Sequence, residues 1–138
     1  LKGTGAFKLN VDINNFEIKD LIFLSKRLPI KLIKNAFTIV ASRSHMSLET
    51  STYIKKMQSL HENLNIISRG SSLKLCMIAE GLADCYPRFA PTMEWDTAAA
   101  HAILLELRCE VVDLQGNSLH YNKPDLLNPY FRASKIPR

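Results

Sequence analysis

The spacing of hydrophobic and polar residues along the chain predicts an alternation of strands and helices. Phe7, Leu9 and Ile13 belong to a run in which apolar and polar residues alternate, which is the period of a half-exposed strand. Residues 37–41 form a strand-like apolar run that ends in a polar turn, and residues 63–67 form another. These three segments are predicted to be strands.

A first helix is predicted after Ser47, which suits the N-cap position. Tyr53, Met57 and Leu60 recur at the spacing of one helical face, so this face is expected to be buried. A later helix is predicted over residues 97–107, where an alanine run follows Trp95 and Asp96.

A further helix is predicted over residues 73–80, with Ser71 or Ser72 as its cap. It is apolar nearly all round and is therefore expected to be buried, and Gly81 is expected to end it. Lys74 is the only charged residue between Gly70 and Glu80, so its ammonium group is expected to have a specific partner.

The rest of the chain contains shorter predicted elements. Residues 17–36 are predicted to be irregular or interrupted. The remaining predictions are a strand at 83–86 broken by Pro87, a strand at 110–113, a turn at 115–118 and a last strand near 130–132. Strands separated by helices of about ten residues predict an α/β fold. The expected architecture is a layered mixed sheet flanked by helices.

Composition narrows the class of protein. The chain has 138 residues, of which 46% are hydrophobic and 22% charged, so it can bury a core. The net charge of +5 suits an anionic ligand but is too scattered to require a nucleic acid, and no nucleic-acid partner is predicted. No apolar run approaches the about 18 residues of a membrane helix. We therefore predict no membrane span.

The cysteines indicate the compartment. Cys76, Cys85 and Cys109 are odd in number and have neither CxxC nor Cys/His spacing. This pattern fits reduced thiols better than a disulfide framework or a zinc site. A cytoplasmic location is therefore expected.

Five polar residues fall where predicted strands end and helices begin, which is where α/β sheets bind ligands. They are His45, Ser71, Lys74, Arg88 and Asp96. A carboxylate on the first helical turn favours a nearby cation or phosphate site because the helix dipole is positive there. We take these five residues as the candidate site.

Each candidate also has a structural interpretation. The histidine could cap a turn, the serine could cap a helix, and Asp96 could be an ordinary N-cap. Arg88 could form a surface ion pair with Asp84 or Glu80, although its fork also fits phosphate oxygens. The remaining acids are expected to be solvated, among them Glu94, Glu106 and Glu110.

Several motifs together resemble one family. Residues 70–74 read GSSLK, 86–88 read YPR, 91–99 read PTMEWDTAA and 121–130 read YNKPDLLNPY. They resemble the C-terminal half of the inositol monophosphatase superfamily, and within it the 3'(2'),5'-bisphosphate nucleotidases of the CysQ type. The resemblance covers most of residues 3–133.

The resemblance implies a Mg-dependent phosphomonoesterase that converts 3'-phosphoadenosine 5'-phosphate to AMP and phosphate in sulfur assimilation. It implies that Asp96 is a catalytic residue that ligates Mg and lies near the substrate. It also implies that Ser71, Lys74 and Arg88 grip the nucleotide and its other phosphate, and that His45 lines the nucleotide pocket. Such chemistry needs carboxylates around the metal and cations around the remote phosphate.

The family's main metal motif, an aspartate-proline-x-aspartate-glycine-threonine run with an upstream glutamate pair, does not occur in these residues. We therefore expect residues 1–36 to be the end of an N-terminal domain with a connecting segment, and residues 37–138 to be the C-terminal, substrate-side domain. The N-terminal half is the expected partner, and the 138 residues alone are expected to have little or no phosphatase activity.

Two alternatives remain at this stage. One is an inositol or sugar phosphatase of the same superfamily, which would share Asp96 but would need no adenine pocket. The other is a non-catalytic remnant that binds a phosphate ligand. The family usually has a glutamate-alanine-glycine-glycine exit after the tryptophan-aspartate helix, whereas Glu106 is followed here by Leu107, Arg108 and Cys109. That helix is therefore expected to end differently.

Overall fold

The computed structural model describes residues 3–10, 17, 20–30, 34–42 and 46–136. The helices are α1 (Asp20–Leu24), α2 (Leu48–Leu60), α3 (Leu73–Glu80) and α4 (Glu94–Leu105). The strands are β1 (Phe7–Lys8), β2 (Lys26–Arg27), β3 (Phe37–Ala41), β4 (Leu64–Ser68), β5 (Cys85–Arg88), β6 (Cys109–Asp113) and β7 (Phe131–Lys135).

Five of the strands form one mixed sheet in the order β4-β3-β5-β7-β6. β3 pairs in parallel with β4 and with β5, whereas β7 pairs antiparallel with β5 and with β6. β1 and β2 form a separate antiparallel pair. Within the described ranges the fold class is the predicted one, an α/β layered mixed sheet flanked by helices.

Helices cover both faces of the large sheet. Ile39 and Ala41 of β3 pack under α2 with Ile54, while Val40, which points to the opposite face, belongs to the larger core. That larger core contains Ile78 of α3 with residues of α4, β6 and β7. The alternation along β3 therefore serves two apolar layers, as expected for a strand buried on both faces.

The strand predictions are confirmed in the large sheet and shortened at the N-terminus. β3 coincides with the predicted segment, β4 is displaced by one residue, and β6 begins one residue earlier than predicted and ends at the predicted residue. β1 contains only Phe7 and Lys8 of the strand predicted from Phe7, because Leu9 and Asn10 are not in a strand, and positions 11–13 lie outside the described residues. Pro87 does not break β5, which continues to Arg88 and pairs along its length with β7.

Helix caps were predicted with mixed success. The Ser47 hydroxyl accepts the Thr50 backbone N–H at 3.1 Å, so this cap is confirmed. Ser72 is the N-cap residue of α3, one of the two serines predicted for that position, but its side chain makes no cap hydrogen bond; Ser71 adopts φ 50°. The predicted buried face of α2 is also wrong at its end, since Leu60 is 64% exposed.

Gly81 ends α3 as predicted. Its φ is 84°, and its N–H donates to the carbonyl of Ile78. A Cβ placed on Gly81 would lie 3.2 Å from the backbone oxygen of Ile30. The position therefore needs glycine both for its backbone conformation and for the close approach of the neighbouring segment.

α4 begins three residues earlier than predicted and ends two residues earlier. Met93 is its N-cap residue, and the Asp96 carboxylate accepts the Met93 backbone N–H at 2.8 Å. Asp96 is therefore on the first turn, as expected, but is not the N-cap. After the helix, Arg108 adopts φ 54°, the left-handed conformation that glycine occupies most easily.

We predict that Arg108→Gly stabilises the fold. The left-handed conformation costs a non-glycine residue about 1–2 kcal/mol, part of which is offset by the greater freedom of glycine in the unfolded chain, so a net gain of about 0.5–1 kcal/mol in unfolding free energy is expected. Urea denaturation measures this gain. Arg108→Ala, which removes the same charge but keeps a Cβ, serves as the control and should give no gain; an equal gain in both variants would contradict the assignment of strain.

Candidate functional site

A cleft of about 330 Å³ lies at the carboxyl ends of β3, β4 and β5. The loop after β4 leads into α3, and the segment after β5 leads into α4, so both helix N-termini face the cleft. Its lining combines one acid, two cations and several hydroxyls: Ser42, Gly70, Ser71, Ser72, Lys74, Leu75, Tyr86, Arg88, Thr92, Asp96, Thr97 and Phe131. Four of the five predicted site residues are therefore brought together.

Lys74 is buried at the wall of this cleft. It is 4% exposed, and its Nζ donates to the backbone oxygen of Ser71 at 2.9 Å and to that of Arg69 at 3.2 Å. The ammonium also lies 5.2 Å from the centre of the Tyr86 ring. Burial, together with the nearby Arg88 charge, lowers the pKa of Lys74 from its ordinary value. The expectation that this lysine has a specific partner is confirmed.

Arg88 is on the last position of β5 and reaches the segment that precedes α4. One terminal nitrogen donates to the Pro91 backbone oxygen at 3.0 Å, while its Nε is buried and has no partner among the described residues. The ion pairs considered for it are wrong, because Asp84 pairs with Lys34 and Glu80 pairs with Lys8. The guanidinium is therefore not neutralised by either acid.

Asp96 presents its carboxylate at the mouth of the cleft. The residue is exposed, and one carboxylate oxygen accepts the Met93 N–H. Carboxylate oxygens are the ligands that Mg prefers, but this ion usually needs several anionic groups. Among the described residues no group of three His, Cys, Asp or Glu side chains is placed to hold a metal. Asp96 therefore fits the role of one Mg ligand within a set that must be completed by other groups.

Ser71 lies in the turn that Lys74 holds. Its left-handed φ of 50° and the two carbonyl contacts of Lys74 give the turn its shape at the start of α3. The serine thus lines the cleft without capping the helix. His45 lies outside the described residues, so its predicted place in the nucleotide pocket remains a prediction.

Sequence reasoning missed the aromatic and hydroxyl lining of the cleft. Tyr86 and Phe131 meet edge to face at 5.9 Å, and desolvation raises the pKa of Tyr86 to about 12. Thr92 and Thr97 flank the segment that carries Asp96. The proximity of Tyr86 to Arg88 in the sequence was an available signal, whereas the threonines looked like ordinary loop and helix residues.

Glu94 was predicted to be solvated, and this is wrong. It is 7% exposed and accepts the backbone N–H of Asn122 at 2.7 Å and of Lys123 at 3.2 Å, and it also pairs with the Lys123 ammonium. These hydrogen bonds lower the pKa of Glu94, with the Lys123 side chain as the largest cause. Glu94 therefore ties α4 to the segment 121–128, which we call the strap.

The other two acids predicted to be solvated also have structural partners. Glu106 accepts the backbone N–H groups of Gly3 and Gly5 at 2.7 and 2.9 Å. Glu110 lies 3.1 Å from the Arg132 guanidinium and accepts the Ser134 hydroxyl at 3.0 Å. Long-range contacts hold both carboxylates.

The three cysteines are free thiols. Burial raises the pKa of Cys76, Cys85 and Cys109, so these side chains are poor thiolates. Across the described ranges, the helices are all too short or too polar to cross a bilayer.

Comparison with known proteins identifies relatives that share one name, 3'(2'),5'-bisphosphate nucleotidase CysQ. The 3'(2'),5'-bisphosphate nucleotidase CysQ of Salmonella typhimurium is 45% identical over 97 residues, which are 70% of this chain and 38% of that protein. The protein of the same name from Buchnera aphidicola is 40% identical over 101 residues, 71% of this chain and 37% of that protein. The chain thus spans less than two-fifths of these relatives.

A solved structure agrees over the whole chain. The crystal structure of CysQ from Bacteroides thetaiotaomicron, described as a bacterial member of the inositol monophosphatase family, superposes with a TM-score of 0.89 at 45% identity. The match covers 100% of this chain and 53% of that one. The sequence model of the inositol monophosphatase family matches residues 2–135. The chain therefore belongs to the inositol monophosphatase family.

Proposed function

We propose that this chain is the substrate-side part of a Mg-dependent 3'(2'),5'-bisphosphate nucleotidase, which removes the 3'-phosphate of 3'-phosphoadenosine 5'-phosphate and leaves AMP. The observation that carries the proposal is the shared cleft in which Lys74 and Arg88 accompany the carboxylate of Asp96. The 45% identity to nucleotidases of this name supports the choice of substrate over an inositol or sugar phosphate.

Lys74 and Arg88 are proposed to bind the substrate. A nucleotide bisphosphate carries two separate phosphate groups, and one must be held while the other reacts. The guanidinium of Arg88, with its buried Nε unpartnered among the described residues, and the buried ammonium of Lys74 suit the phosphate that does not react, because an anion offsets their desolvation. Ser71 contributes a hydroxyl at the same wall, and His45 is proposed to line the pocket of the base.

Asp96 is proposed to act at the phosphate that is removed. Mg held at this site would supply charge stabilisation for the phosphoryl oxygens and activation of a water molecule. The Asp96 carboxylate, on the first turn of α4, would be one of the groups that hold the ion, and the Met93 N–H that donates to it would keep the side chain in place. A carboxylate fixed in this manner does not need to reorganise as charge develops.

The remaining carboxylates are proposed to come from the N-terminal half of the same protein, to which residues 1–36 would connect. Support comes from the outer face of α4, which is exposed but apolar: Trp95, Ala98, Ala99, Ala102, Ile103 and Leu105. Trp95 is 67% exposed. A contiguous exposed apolar face is typical of a surface that another protein segment covers. Asp96 is the one acid on the exposed side of this helix. A carboxylate-bearing partner on this face would meet Asp96 directly.

We propose a cytoplasmic location, because three cysteines without disulfide or zinc spacing are typical of a reducing compartment. The proposed partner molecule is a small nucleotide. The net charge of +5 is spread over the chain and gives no support for binding to nucleic acid.

We predict that Asp96→Asn lowers hydrolysis of 3'-phosphoadenosine 5'-phosphate by about 100-fold or more in the protein that carries the complete carboxylate set, because a metal ion supplies several kcal/mol of charge stabilisation and each ~1.4 kcal/mol is tenfold. Phosphate release with Mg present is the measurement. Glu49→Gln, on the exposed first turn of α2, is the charge-matched control. Faster hydrolysis of inositol phosphate than of the nucleotide by the wild type would favour the alternative substrate class.

We also predict that nucleotide affinity falls at alkaline pH because of Lys74. The phosphate binds the charged ammonium, so affinity is full below the lowered pKa of Lys74 and is lost as the pH rises through it, before the ordinary lysine value of 10.5. Calorimetric titration of this chain with the nucleotide measures the effect. Lys74→Met should bind about 10–100-fold more weakly at neutral pH and lack the alkaline decline, while Lys55→Met on the exposed side of α2 should match the wild type. A wild-type affinity that is flat up to pH 10.5 would contradict this role.

A third prediction concerns the two halves. The 138 residues alone should show little or no phosphatase activity, and activity should return when the carboxylate-bearing half is supplied as a separate chain. Ala102→Glu places a charge on the apolar outer face of α4 and should prevent this recovery, because burying an unpaired charge is costly. Gln58→Glu on the exposed side of α2 should permit it. Enzyme-like turnover by the purified 138 residues would refute the division of the site.

A further inference from the structure

The strap, residues 121–128, runs beside the segment that begins α4. The Glu94 N–H donates to the Leu126 carbonyl at 3.0 Å, and the Asn128 N–H donates to the Thr92 carbonyl at 2.8 Å. Met93 and Leu127 form an antiparallel bridge between these two bonds. The strap thus pairs with the residues that immediately precede Asp96.

The Asn128 side chain extends this pairing into the first turn of the helix. It is 4% exposed, and its Nδ2 donates to the Met93 carbonyl at 2.8 Å, to the Thr97 hydroxyl at 3.1 Å and to the Thr92 hydroxyl at 3.2 Å. Its Oδ1 is buried and has no partner among the described residues. An unsatisfied buried oxygen costs free energy, so packing alone would favour an apolar residue at this position.

These contacts converge on the two neighbours that define the conformation of Asp96. The Met93 carbonyl accepts from Asn128, and the N–H of the same residue donates to the Asp96 carboxylate. Thr97 is the next residue along the chain, and its hydroxyl donates to the Glu94 carbonyl at 3.2 Å. Movement of Met93 or of Thr97 would therefore redirect the Asp96 side chain.

We infer that Asn128 is a positioning residue: its amide fixes Met93 and Thr97 so that the carboxylate of Asp96 points into the cleft. The catalytic meaning of this inference rests on the proposed function, because the side chain that Asn128 orients is the proposed metal ligand, Asp96. Asn128 does not line the cleft. It acts indirectly, through its hydrogen bonds to the Met93 carbonyl and the Thr97 hydroxyl.

The direct test is nuclear magnetic resonance of this chain with and without the substitution Asp96→Ala. In the otherwise wild-type chain the Met93 amide proton should shift when the carboxylate is removed, because the carboxylate accepts that N–H. Asn128→Asp keeps the size of the side chain but removes the NH₂ donor, and the response of Met93 should be lost. Asn117→Ala removes an exposed amide whose Nδ2 donates to Asp113 at 3.1 Å, and the response should persist.

A pair of Thr97 variants separates hydrogen bonding from packing. Thr97→Ser keeps the hydroxyl that accepts from Asn128, so the Met93 response should persist. Thr97→Val keeps the shape but removes the hydroxyl, so the response should weaken. Because these substitutions are smaller changes than those at Asn128, they also serve if the Asn128 variants do not fold.

The catalytic consequence is measured in the protein with the complete carboxylate set. Partners of metal ligands typically change metal affinity or activity by about 10–100-fold, so Asn128→Asp should raise the Mg concentration for half-maximal activity by a factor in that range, with a smaller change in the nucleotide KM. Asn117→Ala should leave both values unchanged. A merely structural role for Asn128 would lower thermal stability but leave the Mg requirement as it is.

Either of two results overturns the inference. One is an unchanged Met93 response in Asn128→Asp or, if that variant does not fold, in Thr97→Val. The other is a general shift of the amide proton signals of β6 and β7 together with that of Met93. Such a shift would indicate that packing is lost, not that the orientation of Asp96 alone has changed. If the Met93 response is lost selectively but the wild-type protein hydrolyses no phosphate ester, the proposed function fails and the positioning of Asp96 by Asn128 stands.

Discussion

The buried ammonium of Lys74 is the interaction on which the candidate site depends. A charge removed from water is costly unless it is hydrogen-bonded, and here two backbone oxygens and an aromatic face receive it. Those oxygens belong to residues 69 and 71, so satisfying the lysine also determines the turn that precedes α3. The wall of the cleft and the electrostatic field within it therefore have one cause, and neither can be altered without the other.

The sequence predicted the central strands well because their signal is local. Residues 37–41 form a short run that is mostly apolar, residues 110–113 centre on two adjacent valines and precede a polar turn, and both segments are strands. The start of α4 was misplaced for the opposite reason. Met93 is not a preferred N-cap residue, and the helix begins there because Asp96 and the strap satisfy its first backbone groups. No local pattern contains that long-range pairing.

In the candidate site, too, residues with a local sequence signal could be predicted and those that depend on long-range contacts could not. Ser71, Lys74, Arg88 and Asp96 could be selected because strand and helix ends follow the chain order in an α/β fold. The burial of Glu94 could not be predicted, since its partners are at Asn122 and Lys123, distant in sequence. Contacts of this kind depend on how the loop after β6 returns to the sheet, which spacing and composition leave undetermined.

Gly81 illustrates how two constraints at one position limit substitution. Its φ of 84° disfavours any residue with a Cβ, and a Cβ there would lie 3.2 Å from the Ile30 oxygen, so the backbone of that neighbour would have to shift. Gly70, by contrast, has no such φ, and no atom lies within 4 Å of the place that a Cβ would occupy there. In a saturation library scored for folding, position 70 should therefore accept alanine readily, whereas position 81 should be depleted of every residue except glycine.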